Sequence, residues 1–88
     1  MTSRKARIEA LLEAAFSPSL LSVNDDSGRH AGHQPGMDGA GETHFTVTIA
    51  APAFSGMNRV DRHRAVNAAL KGEFDTGLHA LSVDAREA

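Results

Sequence analysis

Residues 44–51, His44-Phe45-Thr46-Val47-Thr48-Ile49-Ala50-Ala51, set Phe45, Val47 and Ile49 in strict alternation with His44, Thr46 and Thr48. Side chains of an extended chain point to opposite faces at a period of two, so this stretch is predicted to be a strand with one buried and one more polar face. Pro52 ends it, and Phe54, Gly56 and Met57 form a turn. A helix is predicted from about Asn58 to Phe74, with Val60, His63, Val66, Leu70 and Phe74 at helical spacing on one side. Gly72 weakens its last turn, and Gly77 supplies a backbone able to turn sharply into the next element. From Leu78 to Ala85 the residues His79, Leu81 and Val83 alternate again, which predicts another strand. Two strands joined through a helix lie parallel if they are neighbours, because such crossovers are right-handed.

Working outward from this unit, Ile8, Leu11, Leu12, Ala15 and Phe16 place one apolar stripe on a helix from Ser3 to Phe16. Thr2 or Ser3 can cap its first turn, and Ser17-Pro18-Ser19 stops it. Leu21 and Val23 alternate with Ser22 and Asn24 in a short strand that Asp25 and Asp26 end. Residues 26–42 carry Gly28, Gly32, Gly36, Gly39 and Gly41 without any apolar period, and read as a long flexible loop joining the first two strands in a hairpin. Connections beyond about 12 residues are usually functional or disordered. The order helix, strand, strand, helix, strand predicts one α+β domain over residues 1–88, a three-stranded mixed sheet with helices on one face.

Composition narrows the function. With 88 residues the chain is one domain, burying roughly 60–65% of its unfolded surface. No apolar run approaches the roughly 20 residues a membrane span needs. Arg4, Lys5 and Arg7 are followed at once by Glu9 and Glu13, so neither a secretory signal nor a transit peptide is expected, and a reducing cytoplasm is the default address. A net charge of −2 gives no general field for attracting phosphates. No phosphate-binding glycine loop, nucleophile elbow or carboxylate pair placed for acid–base work is present, and a non-enzymatic role is expected. Gly36-Met37-Asp38-Gly39 has the spacing of a G-x-x-G clamp, but it lies between two strands and carries an acid where cations belong.

What remains is five histidines and no cysteine. Imidazole is the commonest protein metal ligand, so any metal chemistry here uses histidine and borrows thiolates from elsewhere. His30 and His33 lie in the long loop and His79 starts the last strand, and a loop imidazole and His79 can converge on one side of the molecule. Two imidazoles are two ligands of four, which leaves such a site open to a second molecule. His44, where a strand begins, and His63, on the apolar side of a helix, read instead as hydrogen-bonded structural groups.

The segment Phe54, Gly56, Val60, Arg62-His63-Arg64, Val66 and Leu70, followed by His79-Ala80-Leu81, resembles the BolA family, as do Asp26-Ser27-Gly28-Arg29-His30 and Glu42-Thr43-His44-Phe45 upstream. The resemblance runs over essentially the whole chain. It implies a fold similar to the class II K-homology (KH-like) domain without the clamp. It also implies pairing with a monothiol glutaredoxin, the two proteins sharing a bridging two-iron, two-sulfur (2Fe-2S) cluster with a glutathione thiol. His79 is then the ligand from the last strand, and His30, or His33 in its place, the ligand from the loop. Imidazole ligation raises the potential of such a cluster relative to all-thiolate ligation. With imidazole titrating near about 6.5, the cluster should be lost or rearranged as pH falls through about 6. The family also includes transcriptional regulators, which makes DNA an alternative partner, with Arg59, Arg62, Arg64 and Lys71 as the residues to test. The free protein is expected to be a monomer or weak homodimer.

Overall fold

The hydroxyl of Ser3 accepts the Ala6 N–H at 3.1 Å and so closes the first turn of helix α1, Arg4–Phe16. The helix stops where Ser17 turns left-handed (φ 46°) and donates its N–H to the Glu13 carbonyl. The computed structural model describes residues 3–26 and 43–87. In it α1 is followed by β1 (Leu20–Asp25), β2 (His44–Ala51), a 3₁₀ turn (Pro52–Phe54), α2 (Arg59–Ala69), α3 (Lys71–Asp75) and β3 (Ala80–Glu87). Most of residues 26–42 lie outside the described residues.

The alternation that predicts β2 is realised residue for residue: Phe45, Val47, Ile49 and Ala51 are buried, and His44, Thr46, Thr48 and Ala50 face the other way. The strand is central, antiparallel to β1 (Val23 opposite Val47) and parallel to β3 (Val47 opposite Val83). This is the expected α+β class with a three-stranded mixed sheet. Ile8 and Leu12 of α1, Phe54 of the turn, and Val66, Leu70 and Leu78 complete the core on the buried face. The Phe54 ring lies 4.9 Å from that of Phe16, which ties the 3₁₀ turn to the end of α1.

The second helix differs from its sequence reading in two ways. It breaks at Leu70 (φ −103°, ψ 13°), so that α2 and α3 replace one helix over Asn58–Phe74. The break lets both Leu70 and Glu73 turn inward, and Gly72, a poor helix former, sits just beyond it. The buried stripe is also rotated. Arg62, Ala65, Val66 and Ala69 face the sheet, whereas Val60 is 56% exposed and His63 is exposed. Alanines let the helix come close to the strands, and the expectation of His63 as a structural group on the apolar side of the helix is thereby corrected.

Glu73 belongs to a buried ion cluster that composition does not reveal. Arg4, 8% exposed, donates from Nη1 to Glu73 Oε1 at 2.8 Å and to the Glu73 carbonyl at 3.1 Å, and from Nη2 to the Thr76 carbonyl at 2.9 Å. Arg7 adds a second guanidinium, Nε to Oε2 at 3.1 Å. The cluster pins the start of α1 to the turn before β3. In that turn Gly77 has φ +125°, and a β-carbon there would stand 3.1 Å from Arg4 Nη2, so both backbone and space call for glycine. Leu78 then buries its side chain and donates its N–H to the Glu73 carbonyl at 2.9 Å.

Candidate functional site

Parallel strands begin at the same end of a sheet, and here His44 opens β2 while His79 immediately precedes β3. The N–H groups of His79 and Ala80 both donate to the Thr43 carbonyl, at 2.8 and 3.0 Å, which brings the residue before β3 alongside the first residue of β2. The rings of His44 and His79 consequently lie 5.6 Å apart between centres, tilted by 58°. His79 is exposed and His44 half-buried, and Thr43 Oγ1 is 2.7 Å from His44 Nδ1, a hydrogen bond that fixes the inner ring.

The chain also leaves for residues 27–42 from this end. Asp26 donates its N–H to the His44 carbonyl at 2.8 Å, and Thr46 Oγ1 hydrogen-bonds the Asp26 carboxylate. His30 and His33 lie outside the described residues.

Two imidazoles on one tetrahedral ion, each nitrogen about 2.0–2.1 Å from the metal, have ring centres roughly 5 Å apart. The His44–His79 spacing of 5.6 Å is close to that. No group of three or more His, Cys, Asp or Glu able to hold a metal exists among the described residues, and the whole chain contains no cysteine. The two imidazoles are two of the four donors that a closed structural metal site takes. His44 is the residue sequence reasoning set aside. The signal that finds it is the parallel register, which sets His44 opposite Ala80 and so beside His79.

The four cations considered for nucleic acid do not converge. Arg59 and Arg62 face β3, with Arg62 Nη1 donating to the Ala85 carbonyl and Nε to the Met57 carbonyl, both at 3.0 Å. Arg64 points away, roughly 140° around the helix from Arg59, and lies 4.0 Å from Asp61. Lys71 lies on α3, past the break.

The family model described as BolA-like protein matches residues 12–88, nearly the whole chain and all of its sheet. The chain belongs to the BolA-like family. An uncharacterised Sinorhizobium protein encoded in the cobS 5′ region is 56% identical over 77 residues, covering 88% of this chain and 83% of the relative. Chloroplastic BOLA1 of Arabidopsis thaliana is 47% identical over 92% of this chain, which spans 51% of that protein's length. Among solved structures, BolA1 from Arabidopsis thaliana matches with a TM-score of 0.89 at 44% identity, covering 99% of this chain and 94% of the other. The BolA domain of SufE1 from Arabidopsis thaliana matches with a TM-score of 0.84 at 42% identity, again over 99% and 94%. A BolA-like fold thus occurs both as a short chain and as a domain of a longer one: this chain spans 24% of SufE-like protein 1.

Proposed function

We propose that this BolA-like chain is a non-enzymatic adaptor that pairs with a monothiol glutaredoxin and holds or passes on a bridging 2Fe-2S cluster. The observation that carries the reading is the exposed His79, set beside His44 at the end of the sheet from which residues 27–42 depart, in a chain without cysteine. His79 supplies one nitrogen and His30, with His33 as the alternative, supplies the second. His44 stands behind His79 as a second-rank donor. The partner's cysteine and a glutathione thiol supply the sulfur ligands this chain lacks, in the thiol-reducing cytoplasm that its cysteine-free composition suits. Work on the iron is left to the partner and the client; this chain's own residues bind, orient and cap.

The test is anaerobic co-purification with a monothiol glutaredoxin in the presence of glutathione, iron and sulfide. A coloured one-to-one complex is expected from the unaltered chain. His79→Ala is expected to lose the visible bands that mark histidine ligation while keeping its fold. His30→Ala and His33→Ala then decide between the loop candidates. A colourless mixture, or bands unchanged in all three variants, would remove the proposal.

A further inference from the structure

Among the described residues the outer edge of β3 has no pairing strand and lies beside a basic helix face, and the hydrogen-bonding directions of that edge follow residue by residue. Ala80 donates its N–H inward to Thr43, and Ala85 turns its carbonyl outward to Arg62. N–H and C=O of one strand residue point the same way and alternate along the chain, so Ser82, Asp84 and Arg86 bond to β2. Leu81, Val83 and Ala85 turn theirs outward. Among the described residues only the Ala85 carbonyl receives a donor there, from Arg62, and the outward groups of Leu81 and Val83 have no partner among them.

That edge floors a groove of about 580 Å³, with Arg59, Arg62 and His63 of α2 along one side and residues 81–86 along the other. Three guanidinium groups, Arg59, Arg62 and Arg86, face one lining carboxylate, Asp84. Arg86 is bound to Asp84 at 2.6 Å, and Arg62 lies 4.0 Å from Glu87, just past the groove. Arg59 makes no ion pair closer than 4.0 Å among the described residues, yet it is near enough to Asp84 to help hold that carboxyl below its usual range, behind the larger effect of the Arg86 hydrogen bond.

We propose that this groove docks an extended, acidic segment of a partner protein, which adds to β3 as a fourth strand and sets its carboxylates against Arg59 and Arg86. Backbone pairing with Leu81 and Val83 gives the affinity, and the guanidinium groups select acidic over basic segments. Duplex DNA is the less favoured occupant, because Arg64 and Lys71 lie off the groove and a phosphate backbone cannot continue the hydrogen-bond ladder. The groove runs along β3 away from His79, so the proposal stands apart from the cluster-sharing reading.

The test uses the full chain, isotope-labelled for amide detection, and an eight-residue capped peptide alternating glutamate with valine or threonine. The controls are the same peptide with lysine for glutamate, the same peptide with alternate backbone nitrogens methylated, and a short DNA duplex. Binding of the glutamate peptide is expected to shift the Leu81 and Val83 amides and slow their exchange, with at least tenfold weaker binding for both altered peptides. Arg59→Glu is expected to weaken the glutamate peptide at least tenfold and to strengthen the lysine peptide. No shift at Leu81 and Val83 at millimolar peptide, equal binding of the methylated peptide, or a duplex that binds these residues more tightly than the peptide overturns the proposal.

Discussion

Replacing Glu73 by leucine removes the centre of the cluster that holds the His79 turn, and the cost can be worked from the geometry. Glu73 is 7% exposed and accepts from Arg4 at 2.8 Å and from Arg7 at 3.1 Å. Breaking a buried ion pair by deleting one partner costs about 3–5 kcal/mol, because the other charge stays in the interior. Arg4 would keep the carbonyls of residues 73 and 76 and the Thr76 hydroxyl, at 3.1, 2.9 and 3.1 Å, and Arg7, whose side chain is 40% exposed, can return to water. Glu73→Leu is therefore expected near the lower limit, about 3 kcal/mol. At a urea slope of about 1–2 kcal/mol per molar this lowers the unfolding midpoint by roughly 1.5–3 M. Arg4→Met combined with Glu73→Leu should cost less than the sum of the single changes, by about 1–3 kcal/mol, since neither charge is then stranded. Amide exchange at His79, whose N–H bonds Thr43, should rise in the single variant. A loss below about 1 kcal/mol for Glu73→Leu, or strict additivity in the double variant, would show that the buried ion pair does not hold this turn.

Other substitutions probe separate parts of the structure. Gly77→Ala places a β-carbon at φ +125° and 3.1 Å from Arg4 Nη2, and is expected to cost more than about 1 kcal/mol in the same urea assay. Phe54→Ala empties a fully buried site that also holds the Phe16 ring, and calorimetry should show a loss of about 3–5 kcal/mol. The Arg86 hydrogen bond holds the exposed Asp84 carboxyl below its usual range; Arg86→Ala should raise its titration midpoint, followed by carbon-detected resonance. A carboxyl depressed in the folded state stabilises above its unfolded pKa and loses that contribution as pH falls through the folded value. On a group this exposed, however, the urea midpoint of Arg86→Ala at neutral pH should stay within error of the parent.

Much of the fold was legible because period-two alternation in 44–51 and around Leu81 and Val83 directly encodes strands with one face turned to the core, and Ser3 caps the first helix as its side chain allows. What was not legible depended on partners distant in sequence. Arg4 reads as one more charge near the start of the chain until Glu73, 69 residues away, is placed beside it. Val60 and His63 fit the helical spacing as well as Ala65 and Ala69 do, and only the approach to the sheet shows that the alanines lie inside. The candidate site was half legible. His79 follows from its place before a strand, whereas its neighbour His44 emerges only from parallel register, and His30 and His33 lie outside the described residues.

The central claim is that imidazole from His79 reaches the iron of a cluster shared with a glutaredoxin. Its most direct test is electron-nuclear resonance on the reduced complex, with this chain's histidine nitrogens isotopically labelled and the partner left unlabelled. Strong coupling from labelled nitrogen is expected in the parent complex, and its disappearance in His79→Ala. A reduced cluster that shows no coupling to the labelled nitrogens, or the same coupling in His79→Ala as in the parent, would contradict it.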